Sequence, residues 1–170
     1  MADQDLVERA QALLDLCRAR RLKVAAAESC TGGLLAATLT EIPGSSDVFE
    51  RGFVTYSNEA KAAMLGVAPT TLASYGAVSS ETAEAMAKGA LAHAPVDLAI
   101  SITGIAGPGG AVAEKPVGLV HFAAASRSGQ LIRHERKYGD IGRGQVRRAS
   151  VVEALAMLRE LAASEQAASG

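Results

Sequence analysis

Apolar positions along the chain switch between helical spacing and short, strand-like runs. Between Leu6 and Leu16 the stretch "LVERAQALLDL" repeats them every three and four residues, which predicts an amphipathic helix running to about Arg20. "KVAAAES" (Lys23 to Ser29) then reads as a short buried strand, and "CTGGLLAATLTEI" as a glycine turn opening a second helix. After the turn "PGSS" (Pro43 to Ser46), the run "VFERGFVTYS" (Val48 to Ser57) is rich in β-branched and aromatic residues and predicts another strand. Ser57 is placed to cap a helix over Asn58 to Leu65, since a serine oxygen can accept from an unpaired first-turn N–H.

Further along, "PTTLASYG" predicts a short helix, and Ser79 to Ala94 a longer one with acidic residues near its start, where the helix dipole favours them. Val96 to Gly104 is a near-continuous apolar run, the mark of a central strand covered on both faces. "VGLVHFAAAS" and "LIRHERKYG", joined by "RSGQ", predict a hairpin. A last helix is expected from near Arg143 to about Leu161. Early alternation of strand and helix with a late hairpin predicts a three-layer α/β/α sandwich with a mixed sheet. The 170 residues suit one core, expected over residues 1–163, with a disordered tail over 164–170.

Composition narrows the function. Aromatic residues make up 4% of the chain and Trp is absent, so recognition of nucleic acid by base stacking is disfavoured. Seventeen basic residues against eighteen acidic ones leave no field to attract a polyanion, although a local anion site remains compatible with that balance. Cys17 and Cys30 form no CxxC pair, and His93, His121 and His134 show no metal-ligand spacing, so no metal is expected. The opening "MADQDLVERA" has no signal-peptide pattern and no apolar run reaches about 20 residues, so a cytoplasmic protein with reduced thiols and no membrane partner is expected.

Three segments combine polar residues with backbone freedom: "ESCTGG" (Glu28 to Gly33), "PGSS" with the strand-to-helix junction behind it, and "SITGIAGPGG" (Ser101 to Gly110). The first and third follow buried strands and would open at the carboxyl edge of the sheet, where α/β folds bind ligands. Each alone is weak, because neither loop matches a phosphate-binding signature, and a lysine on a helix is usually solvated. Taken together they allow chemistry without histidine: a serine nucleophile can use a lysine as base if desolvation or a nearby cation lowers its pKa. Tyr56 and Lys61 flank the strand-to-helix junction and can project toward a common mouth.

"AESCTGG", "IPGSS", "RGFVTYSNEAK", "YGAVS" and "SITGIAGPGG…EKPVG" together resemble the CinA C-terminal domain family, over about Leu6 to Leu161. The enzymatic members are amidohydrolases of nicotinamide mononucleotide, so the resemblance implies hydrolysis of that carboxamide to nicotinate mononucleotide and ammonia, with no cofactor. By position it implies Ser46 as nucleophile, Lys61 as general base and Tyr56 as its partner, with Thr103 and Arg143 as further site residues. Ser29, Thr31 and Gly32 fall in the family's first loop and are expected to bind substrate. The family's Gly-Asp-Arg motif reads "GDIGRGQVRR" here, which selects Arg143 with Arg147 or Arg148 as fallback. Phosphate is expected at the helix N-terminus after "CTGG" or at Arg143. The stand-alone form and a homo-oligomer are also expected. The alternatives are a non-catalytic nucleotide-binding or interaction module linked to competence and DNA damage, and an amidase for another nucleotide amide.

Overall fold

The computed structural model describes residues 2–165. Five strands, β1 (Val24–Glu28), β2 (Phe49–Val54), β3 (Leu98–Gly104), β4 (Leu119–Ser126) and β5 (Leu131–Lys137), form a sheet in the order β2-β1-β3-β4-β5. The first three are mutually parallel and the hairpin β4–β5 continues the sheet antiparallel to β3, which makes it mixed. The helices are α1 (Gln4–Arg20), α2 (Leu34–Thr40), α3 (Asn58–Leu65), α4 (Pro69–Tyr75), α5 (Ser80–His93) and α6 (Arg143–Ser164).

Alternation along the strands assigns the two faces. Val24, Ala26, Leu98, Ile100, Ile102, Val120 and Phe122 pack with α1, α2 and α6. Ala25, Ala27 and Ala99 meet Leu65, Met86 and Ala90 from α3 and α5, and Ala123 and Ala125 meet Ala83 and Ala87. Alanine on both partners lets α5 lie close against the sheet, which accounts for a core with few aromatics.

The same closeness sets α3 against α5. A Cβ added to Gly89 would stand 2.1 Å from the backbone oxygen of Leu65, a contact that no rotamer change relieves. Gly89→Ala is expected to cost about 1–3 kcal/mol, the range for overpacking, read from the midpoint of equilibrium denaturation at unchanged m-value.

Boundaries differ from expectation in two places. The ladder of β2 ends at Val54 because the Thr55 carbonyl turns to accept from Lys61 Nζ at 2.8 Å, although the Thr55 N–H still donates to the Glu28 carbonyl. Helix α6 runs through Ser164, beyond the expected stop near Leu161, because Leu158, Leu161 and Ala162 continue its buried face. Ser164 of the expected tail is therefore helical, and residues 166–170 lie outside the described residues. No described helix is long and apolar enough to cross a membrane.

Candidate active site

Parallel register brings the carboxyl ends of β1, β2 and β3 together, with Glu28 opposite both Val54 and Ile102. The chain leaves each strand there, so Ser29, Tyr56 and the segment from Thr103 onward converge. They line a cavity of about 270 Å3 whose wall also includes Cys30, Asn58, Lys61, Ala77, Val78, Gly104 to Gly107, Gly109, Gly110 and Arg143. The two glycine-containing loops after β1 and β3 thus face each other across one space.

Lys61 sits in the first turn of α3, which Ser57 caps by accepting from the Ala60 N–H. That cap turns the helix back over the end of β2 and drives the lysine side chain inward. Lys61 is 1% exposed; its Nζ donates to Ser29 Oγ at 2.9 Å and to the Thr55 carbonyl at 2.8 Å. Burial lowers its pKa by penalising the charged form. Cys30 lies beside the dyad, but burial pushes its thiol up to about 12, so it stays protonated.

Ser46 is elsewhere. It lies in a single 3-10 turn (Ser45–Asp47) before β2, exposed, with Asp47 bonded to Arg18 near the end of α1. Six residues of strand at about 3.3 Å each separate the ends of β2 by roughly 17 Å, so within one chain Ser46 cannot reach Lys61. The correction is that Ser29, not Ser46, is the serine beside the lysine. Tyr56 also departs from its expected partnership. Its ring is 61% exposed, and its hydroxyl accepts from Arg143 Nη2 at 2.7 Å rather than engaging Lys61.

Arg143 opens α6 and also donates to the Gly107 carbonyl at 2.9 Å, so it joins the junction after β2 to the loop after β3. Arg147 donates instead to the Thr31 carbonyl at 2.9 Å behind the cavity, and Arg148 pairs with Asp3 and Asp5. Of the three candidate arginines, Arg143 is the one on the cavity wall. Thr103 is buried and its hydroxyl donates to the Ala77 carbonyl at 2.7 Å, pinning the Ala77–Val78 wall. Thr31 and Gly32 do not line the cavity; Gly32 has φ +57° and, with Gly33 at +102°, turns the chain from β1 into α2.

The expected anion site at the start of α2 is occupied by the protein itself. Glu28, 1% exposed, accepts from the N–H groups of Leu35 at 2.9 Å and Ala36 at 3.0 Å. A carboxylate already neutralises that helix end. By contrast α6 is preceded by Gly142, which gives no side-chain cap, and has no acidic residue in its first turn. Sequence reasoning missed Glu28, because it reads as the last residue of an apolar strand, and also Asn58 and Ala77, which carry no signal of their own.

The model of the CinA C-terminal domain matches residues 6–162. The chain belongs to the CinA C-terminal domain family. Among its CinA relatives, the nicotinamide-nucleotide amidohydrolase PncC of Escherichia coli K12 is 50% identical over 159 residues, covering 93% of this chain and 95% of that protein. Proteins designated competence-damage inducible in Caldicellulosiruptor bescii and Acetivibrio thermocellus are 52% and 51% identical over 74% and 81% of the chain, and the chain spans 30% and 33% of their length. The crystal structure of competence/damage inducible protein CihA from Agrobacterium tumefaciens superposes with a TM-score of 0.93 at 53% identity, covering 95% of this chain and 98% of that one. Competence damage-inducible protein A from Klebsiella pneumoniae superposes at 0.90 with 37% identity, covering 95% and 99%. This CinA chain therefore has the family's mixed α/β sandwich.

Proposed function

We propose that the chain hydrolyses the carboxamide of nicotinamide mononucleotide to nicotinate mononucleotide and ammonia, with Ser29 as nucleophile and Lys61 as general base. The observation that carries this reading is the buried 2.9 Å contact between Lys61 Nζ and Ser29 Oγ at a cavity wall. The amidohydrolase relative that shares half its residues with this chain supplies the substrate class.

The chemistry runs in two halves. Neutral Lys61 takes the hydroxyl proton as Ser29 Oγ attacks the carboxamide carbon, and returns it to the nitrogen as the C–N bond breaks and ammonia leaves. Lys61 then deprotonates a water that attacks the Ser29 ester, and returns that proton to Oγ. The Thr55 carbonyl holds Nζ toward the serine throughout. Ala106, Gly107 and Gly110 line the cavity and their backbone N–H groups donate to no backbone carbonyl among the described residues, so they are the donors assigned to a developing oxyanion.

With the start of α2 filled by Glu28, the nucleotide phosphate belongs at Arg143 and the uncapped first turn of α6. Arg143→Ala is expected to raise KM by about ten- to a hundredfold, the value of a charge-assisted hydrogen bond, with a smaller change in kcat. Nicotinamide riboside, which lacks the phosphate, should show little of that effect. The function itself is tested by ammonia release from nicotinamide mononucleotide with purified protein; the absence of release at high enzyme concentration refutes it.

A further inference from the structure

Both close partners of Lys61 Nζ, the Ser29 hydroxyl and the Thr55 carbonyl, are neutral. Among the described residues no Asp or Glu lines the cavity, and its cationic side chains are Lys61 and Arg143. Among the described residues the ionisable groups that share the cavity wall with Lys61 are Cys30 from the turn after β1, Tyr56 from its own junction and Arg143 from α6; β3 and α5 present Thr103 and the uncharged Met86 face. Glu28, one residue before Ser29, has both carboxylate oxygens engaged by Leu35 and Ala36 at the start of α2. A buried ammonium whose partners are all neutral is an incomplete pair, because a desolvated charge needs an opposite one.

The proposed reaction supplies that anion. Deacylation breaks the Ser29 ester and forms a carboxylic acid, while one water proton passes through Lys61 to Ser29 Oγ. The other water proton remains on the new acid, a far stronger acid than an alkylammonium, and transfers to neutral Lys61. The balance per turnover is amide plus water giving carboxylate, ammonia and one proton, and that proton ends on Nζ.

We infer that the cavity retains its own carboxylate product as an ion pair with protonated Lys61, so that nicotinate mononucleotide inhibits the enzyme and the inhibition is relieved as pH rises. This rests on the amidase reading above. Two events then close the cycle: the carboxylate leaves and Lys61 loses its proton to solvent. The amide substrate carries no charge at that position and gains no comparable pairing. Because a bound carboxylate raises the lysine pKa, product binding takes up a proton and must weaken as pH rises past the pKa of the empty site. The phosphate is common to both nucleotides and cancels in a comparison of the two.

The test uses the full chain carrying Ser29→Ala, which removes the proposed nucleophile, titrated calorimetrically with nicotinate mononucleotide and nicotinamide mononucleotide from about pH 6 to about pH 9. The ratio of the two affinities is expected to favour the acid at low pH and to fall by about tenfold per pH unit where Lys61 deprotonates. Adding Lys61→Met should flatten the ratio. A ratio independent of pH, or an unchanged slope in the double variant, overturns the inference, as does failure of the acid to bind. Ammonia release by wild type separates the two failures: turnover with a flat ratio leaves the amidase and removes product retention, whereas a sloping ratio without turnover leaves a carboxylate site at Lys61 and removes the amidase.

Discussion

Ser29→Ala is expected to lower kcat for ammonia release by about a thousandfold or more, the scale on which nucleophile deletions act, while Ser46→Ala stays close to wild type. The asymmetry follows from position alone. Ser29 Oγ touches Lys61 Nζ at the carboxyl edge of the sheet, and Ser46 lies exposed before the opposite end of β2. Both substitutions remove one hydroxyl and leave the backbone unstrained, so thermal midpoints should barely move. If Ser46→Ala were the inactive variant and Ser29→Ala the active one, the nucleophile would have to come from outside this cavity, for instance across a subunit boundary.

The second large effect is at Lys61. A lysine at its ordinary pKa of about 10.4 is almost wholly charged near neutrality and cannot accept a proton, so the base depends on its burial. Desolvation lowers the pKa, and kcat/KM should therefore climb with pH through that depressed value and level off above it. The sign is fixed by the role: protonation at low pH removes the base, with about a tenfold loss per unit on the acidic limb. Lys61→Met should cost about a thousandfold or more and abolish the limb, and Lys61→Arg should not rescue activity because a guanidinium stays protonated. A Lys61→Arg variant with near-wild-type activity would show that the contact is a structural hydrogen bond.

Most of the architecture was legible because its causes are local. The spacing of three to four in α1 gives way to a short unbroken apolar run in β1, Ser57 caps α3 as expected, and the unbroken apolar run of β3 marks a strand buried on both faces. The site was harder, since its geometry is set by non-local pairing. Which serine meets Lys61 depends on β2 lying beside β1 with Val54 opposite Glu28, and nothing in "PGSS" or "ESCTGG" encodes that register. Lys61 itself reads as a solvated helical charge; only the turn of α3 over the strand end makes it one of the large fully buried side chains. Glu28 was invisible for the same reason, since a carboxylate closing an alanine strand has meaning only once α2 packs its first turn above it.

A crystal structure of the Ser29→Ala variant with nicotinamide mononucleotide bound is expected to hold the carboxamide carbon within about 3.5 Å of the position Ser29 Oγ vacates, the distance of a near-attack geometry, with Lys61 Nζ beside it and the phosphate on Arg143. A nucleotide seated with its carboxamide near Ser46, or with its phosphate against Lys61 and its ring in solvent, would contradict the assignment of Ser29 and Lys61.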